Sequence, residues 1–226
     1  MSKKWLAQTR RAPAIALALL LVCVFVAQAA TPGFDEQRSL SGLTVSETVA
    51  LVAGDVNGDG WVDIVTSSPD GKMWLNLNDG AGYYPTASEI GMQSSAVAHL
   101  RMADLDVDGD LDLIGATSGK VFTYKNTNGI FGDYADVGPS GSVSIAAIEP
   151  AYINNDARPD LVIAVNGGQS AAFLNDAANG FYYGDLTCSP APTRYRCLGN
   201  TSQTVGGLAV GDMNGDLKTD ILIGRG

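Results

Sequence analysis

The chain has 226 residues, 27 of them glycine, and 24 acids stand against 14 lysines and arginines, for a formal charge of -10. That length holds one domain or two small ones, and the composition is that of a globular protein. So acidic a surface argues against nucleic acid and against anionic membrane surfaces as partners.

Residues 1–29 read as a secretory signal peptide. Lys3, Lys4, Arg10 and Arg11 form a basic start without acids, Ala14 to Ala27 is an apolar run, and Ala27-Gln28-Ala29 is a small-x-small cleavage site. The run falls short of the ~20 apolar residues of a spanning helix, so no membrane insertion is expected after cleavage. The expected location is secreted, periplasmic or cell-surface. Cys23 goes with the leader, which leaves Cys188 and Cys197 as a disulfide candidate in an exported chain.

Residues 30–226 read as four units, near 46–90, 94–138, 143–187 and 203–226. The first opens with an apolar strand, Val49 to Ala53. It then runs into Asp55-Val-Asn-Gly-Asp-Gly-Trp-Val-Asp63, with oxygen-bearing side chains at positions one, three, five and nine: Asp55, Asn57, Asp59 and Asp63. Alternate residues of a curled loop point the same way, so these oxygens converge. Clustered carboxylates repel unless a hard cation sits among them, and Ca²⁺ takes such ligands. Gly60, at position six, fits a tight loop with positive φ. The opening matches an EF-hand loop, but position twelve is Thr66, and Ile64-Val65 reads as a strand. The turn at Pro69-Asp70-Gly71, a third strand from Met73 to Leu77, the turn at Asn78-Asp79-Gly80 and an aromatic fourth strand from Tyr83 complete the unit.

The second unit repeats this order, its third strand ending at the turn Asn126-Thr127-Asn128-Gly129, as the third unit's ends at Asn175-Asp176-Ala177-Ala178-Asn179-Gly180. Its loop carries Asp104, Asp106, Asp108 and Asp112, with Gly109 at position six. The third has a degraded loop: Asn154, Asp156 and Asp160 remain, but position one is Tyr152, a poor calcium ligand. Its fourth strand is expected at Phe181. Residues 188–197 read as a surface loop inserted between units and closed by the two cysteines. The last unit has Asp212, Asn214, Asp216 and Asp220, with Leu217 where glycine is expected. Short strands and tight turns at a period near 50 residues indicate an all-β propeller of four-stranded blades. Three blades are complete and a fourth is partial, giving an open arc or a truncated propeller. Open edges would favour self-association.

The run Asp-x-Asn-x-Asp-Gly-x-x-Asp-Ile-Val, with Asn-Asp-Gly-Ala-Gly-Tyr downstream, resembles the FG-GAP/VCBS repeats of bacterial secreted proteins and of the integrin α head. The resemblance covers roughly residues 33–226. It implies a β-propeller with one Ca²⁺ per intact loop. The ligands would be Asp55, Asn57, Asp59 and Asp63 with the Trp61 carbonyl; Asp104, Asp106, Asp108 and Asp112 with that of Asp110; and Asp212, Asn214, Asp216 and Asp220 with that of Lys218. Two such sites are expected, a third is open, and the loop at 152–160 is not expected to hold metal.

Other candidates are weaker. His99, the single histidine, lies on a first strand with no nucleophile at a motif spacing, so no catalytic residue is expected. Arg101 and Glu149 are expected to meet on adjacent innermost strands. Tyr195, between Arg194 and Arg196, is the expected partner contact. The functional expectation is a calcium-binding recognition or adhesion module for an extracellular glycan or protein, without catalysis. The alternatives are a propeller domain of a secreted enzyme acting on polysaccharide or phosphodiester, and a structural fragment of a longer adhesin.

Overall fold

A computed structural model of the chain describes residues 47–226 apart from 142, 155, 187, 189–192 and 200–203. The expected signal peptide therefore lies outside the described residues. The described part falls within one compact unit, Ser39–Gly226. It is all-β: strands separated by turns, with no helix among the described residues.

The first sheet is antiparallel in chain order, β1 (Ala50–Gly54), β2 (Asp63–Ser67), β3 (Lys72–Leu77) and β4 (Thr86–Met92). The second repeats it with β5 (Val97–Ala103), β6 (Asp112–Thr117), β7 (Val121–Thr127) and β8 (Ile130–Pro139). The third sheet starts the same way, with β9 (Ser144–Ala151), β10 (Asp160–Asn166) and β11 (Ser170–Phe173). A hairpin near the end, β14 (Val205–Gly211) and β15 (Asp220–Arg225), repeats only the first two strands.

The outer strand of the third sheet is not where the aromatic pattern predicts it. Near Phe181, a short strand β12 (Tyr183–Gly184) pairs in parallel with Gly138 and Pro139 at the end of β8. The vacant edge of β11 is taken by β13 (Tyr195–Leu198). The expected insert at 188–197 thus supplies structure to the sheet, and the Cys188–Cys197 disulfide, with Cα atoms 5.9 Å apart, joins that strand to the chain leading into it. The physical reason is Tyr195. Two arginines flank it in sequence, which suggests exposure, but successive residues of a strand face opposite ways. The ring is 3 % exposed and lies 5.8 Å from the Phe173 ring and 5.1 Å from that of Tyr182. Tyr195 is therefore a core residue and not the exposed partner contact expected from the sequence.

The core lies between consecutive sheets, face against face. Val65, Met73 and Leu75 of the first sheet pack on Val97, Leu100, Leu113 and Phe122 of the second. The other face of the second, with Ile114, Val121 and Val137, packs on Ile148, Leu161, Ile163 and Phe173 of the third. Val162 and Ala172 then meet Leu208, Val210 and Ile221 of the hairpin. Middle strands are buried on both sides, which is why Leu113-Ile114 and Leu161-Val162-Ile163 are unbroken apolar runs. Each such fully buried side chain contributes about 1.5–3 kcal/mol of transfer free energy. The first strands of successive sheets are neighbours, β1 beside β5, β5 beside β9 and β9 beside β14. On β5 and β9, Arg101 donates from Nε to Glu149 Oε2 at 3.0 Å, as the sequence alignment of the units predicts.

Candidate metal centre

Each acidic loop joins the first strand of a sheet to the second, and its first aspartate organises it. Asp55 accepts hydrogen bonds from the backbone N–H groups of Gly58, Asp59 and Gly60 at 2.9, 3.1 and 2.8 Å. Asp104 accepts from Val107, Asp108 and Gly109, and Asp212 from Gly215, Asp216 and Leu217. Those bonds, Leu217's first, hold the Asp212 carboxyl below its ordinary range. The position-five acid accepts from the N–H two residues on in each loop: Trp61, Asp110 and Lys218. The backbone is thereby curled into a concave turn.

Such curling needs two left-handed residues per loop. They are Gly58 and Gly60 at φ 73° and 89°, Val107 and Gly109 at 65° and 99°, and Gly215 and Leu217 at 82° and 64°. The requirement at position six is the one expected from Gly60. That at position four was not read from the sequence, although Gly58 and Gly215 signal it.

The loops differ in how far their acids converge. Ligand oxygens of Asp104, Asp106 and Asp108 lie within 4.8 Å of one another, the one such acidic group among the described residues. One buried oxygen there, Asp106 Oδ1, has no hydrogen-bond partner. Its other oxygen accepts from Lys125 Nζ at 2.9 Å, and that ammonium holds Asp106 below the usual carboxylate range. In the first loop Asn57 Nδ2 donates to Asp59 Oδ2 at 2.8 Å, while Asp55, Asp59 and Asp63 do not draw as close together. In the last, Asp212, Asp216 and Asp220 are likewise apart.

The position-nine aspartates do something else. Asp63, Asp112 and Asp160 are fully buried. Asp63 accepts from Val56 N at 3.1 Å and Asn78 N at 2.8 Å. Asp112 accepts from Leu105 N and Asn126 N, both at 2.8 Å. Asp160 accepts from Ile153 N, Asn154 N and Asn175 N at 2.9, 3.2 and 2.9 Å. Each carboxylate clamps the start of its loop to the end of the third strand of the same sheet. Burial outweighs those bonds, raising the Asp63 and Asp160 carboxyls and taking Asp112 to about 6. The degraded loop keeps this clamp, so the clamp does not depend on a complete ligand set.

An asparagine at or just beyond the end of the third strand is the part that sequence reasoning missed. Asn126 Nδ2 donates to Leu111 O of its own loop at 3.1 Å and to Val56 O of the preceding loop at 2.7 Å. Asn175 Nδ2 repeats this with Pro159 O at 3.2 Å and Leu105 O at 2.6 Å, and Arg158 Nη1 adds a bond to Leu105 O at 3.1 Å. Asn78, in the first sheet, reaches only its own loop, at Val62 O. The signal was present: Asn78, Asn126 and Asn175 recur at one register but read as turn formers. A second missed signal is the apolar residue at loop position two. Val56 and Leu105 are buried in the cores between sheets.

The remaining candidates separate. Arg194 donates to the carbonyls of Asn179 and Gly180, and its guanidinium lies 6.0 Å from the Tyr182 ring, so it braces a turn. Arg196 is exposed beside the buried Tyr195. His99 is half-buried, and burial, then Arg101, hold its imidazole below the ordinary value. Between the second and third sheets is a cleft of ≈ 330 Å³ whose lining includes Asp106, Lys125, Asp133, Arg158, Asp176 and Phe181. Among the described residues, no helix is long and apolar enough to cross a membrane.

A family model described as FG-GAP-like repeat matches residues 55–114 and again residues 104–163. The matched spans therefore begin at the first residue of an acidic loop. Among solved structures, the chain is similar to BBS1N in its complex with ARL6DN. For the crystal soaked with lead the TM-score is 0.52 at 17% identity, over 79% of this chain and 51% of that one. For the crystal soaked with mercury it is 0.53 at 14% identity, over 79% and 52%. The chain thus spans about half the length of these structures, and the likeness gives a β-propeller-like fold alone. No curated protein matches the chain in sequence.

Proposed function

Because the chain belongs to the FG-GAP repeat proteins, we propose that its sheets are successive blades of a calcium-stabilised β-propeller used for recognition or adhesion outside the cell. The blades would be three complete ones and the inner hairpin of a fourth. The observation that carries the metal reading is the second loop: three acids converge, and a buried oxygen of Asp106 has no partner. Hard oxygen donors on a concave loop suit Ca²⁺. Asp104, Asp106, Asp108 and the Asp110 carbonyl would hold it there. Asp55, Asn57, Asp59 and Trp61 are the equivalents in the first loop, and Asp212, Asn214, Asp216 and Lys218 in the last. Asp63, Asp112 and Asp220 would join through lone pairs that their backbone bonds leave open. The ion would offset the mutual repulsion of the acids and lock the first strand of a blade to the second.

The module does no chemistry in this reading. Most of its acids are engaged in the loops and the clamps, and Arg101 pairs with Glu149, Lys72 with Glu89 and Lys120 with Asp136. The cleft between the second and third blades, with Arg158, Asp133 and Phe181 in its wall, gives a glycan or a protein side chain a place to dock. The disulfide supports an oxidising, extracellular setting.

Thermal melts in calcium and in chelator test the metal. At a dissociation constant of ~10⁻⁴ M, calcium at ~10⁻² M contributes about 2.7 kcal/mol per site. Identical melting temperatures in the two buffers would overturn the reading. A glycan array, with Arg158→Ala as control, tests the ligand class.

A further inference from the structure

We infer that Asn126 and Asn175 are positioning residues for the metal loop of the preceding unit, so that the first and second loops are each completed by the sheet that follows. This inference rests on the calcium reading above. Three observations carry it.

First, the contact crosses between units. Asn126 lies at the end of β7, yet its Nδ2 donates at 2.7 Å to Val56 O, in the loop between β1 and β2. That carbonyl belongs to the peptide joining Val56 to Asn57, between two expected ligands, Asp55 and Asn57. Holding it sets where both side chains leave the backbone. The next pair repeats the geometry, with Asn175 Nδ2 2.6 Å from Leu105 O, between Asp104 and Asp106.

Second, the contact is buried and rigid. Asn126 is 1 % exposed and Val56 1 %. All the polar atoms of the Asn126 side chain are engaged: Nδ2 with the two carbonyls, Oδ1 with Gly129 N at 2.8 Å. Its backbone N–H is held by Asp112. Movement of the Val56 peptide must therefore move Asn126, and through it the loop of the second unit. Gly129 also abuts the same site, because a Cβ there would lie 3.2 Å from Asn57 Cβ.

Third, the units contain their own controls. The third loop has lost the first ligand, with Tyr152 at that position, but Asn175 and Asp160 remain in the second and third units' shared joint. Asn175 there serves the loop of the second unit, which has its full acid set. Asn78 has no preceding loop among the described residues and bonds only within its own unit.

The consequence is a metal site whose affinity is set by a residue of the next unit that donates nothing to the ion. Occupancy of the first loop then stiffens the second.

Trp61 makes the first loop separately observable. It sits at position seven of that loop, whereas the second and last loops have Asp110 and Lys218 there. Terbium(III), a calcium surrogate, emits when an adjacent indole is excited, so Trp61-sensitised emission reports the first loop. Titrating the full chain, we expect Asn126→Ala to weaken this signal's half-saturation severalfold while Asn175→Ala leaves it unchanged. An unchanged midpoint in Asn126→Ala, or equal weakening in both variants, overturns the inference. Absence of sensitised emission from the unsubstituted chain at any terbium concentration overturns the metal reading of the first loop, and a melting temperature indifferent to calcium overturns the metal reading as a whole, so both are distinguishable from an unchanged midpoint in the variant. Should Asn126→Ala fail to fold, hydrogen exchange on Asp104→Asn replaces it. With the second loop disabled, calcium should still slow exchange at residues 126–129; protection confined to residues 55–63 overturns the inference.

Discussion

Replacing Asp160 with Asn separates the clamp from the metal, because the third loop is the copy with an incomplete ligand set. Asp160 is fully buried and accepts three backbone N–H groups, two at Oδ2 and one at Oδ1. An amide is isosteric but offers one acceptor and one donor group. Whichever way it turns, at least one buried N–H then faces another. An orphaned buried donor costs about 1–3 kcal/mol, and the bonds that survive lose their charge assistance. Neutralising a carboxylate whose protonation burial already favours returns part of this. The expected net loss is about 2–3 kcal/mol, or ~4–12 °C in melting temperature for a domain of this size. The assay is a thermal melt followed by circular dichroism, in calcium and in chelator. Asp160→Asn should lower both curves alike, whereas Asp108→Asn should lower chiefly the calcium curve, by the second loop's share of the calcium-dependent gain. A loss from Asp160→Asn that appears only in calcium, or no loss at all, would refute the reasoning.

Further outcomes follow from the structure. Leu217 holds φ 64° while 94 % exposed, so Leu217→Gly should relieve about 1 kcal/mol of strain with no packing lost. Gly60→Ala and Gly109→Ala, at φ 89° and 99°, should cost about the same in denaturant unfolding. As the single histidine, His99 gives one imidazole resonance set, and its NMR titration midpoint should fall below the ordinary 6.5. A depressed folded value means that its stabilisation is complete above 6.5 and is lost as pH falls through the folded midpoint. Glu149→Gln should depress that midpoint further, since the Glu149 charge raises it. Lys125→Met removes the cation 2.9 Å from Asp106 Oδ2 and should tighten calcium binding at the second loop severalfold, read by calorimetry.

Most of the architecture was legible in the chain alone. The recurrence of acid-rich loops before apolar strands gave an all-β repeat and the order of strands in the first two sheets. A left-handed residue at position six followed from glycine chemistry, and Leu217 was correctly marked as the exception. The approach of Arg101 to Glu149 followed from aligning one unit on the next. These features are legible because they are local: a turn's φ, a strand's alternation and a short spacing are written in neighbouring residues.

What needed the tertiary structure was anything settled by contact between units. Arg194-Tyr195-Arg196 reads as a solvent-facing tip, yet the space between Phe173 and Tyr182 claims the Tyr195 ring and turns the segment into an outer strand. The position-nine aspartates read as metal ligands, and their burial against backbone N–H groups is visible only once the third strand is folded back beside them. Asn126 and Asn175 read as turn formers, because 70 residues separate each amide from the carbonyl it holds. A hydrogen bond across that separation exists only after two sheets have packed, and no local pattern announces it.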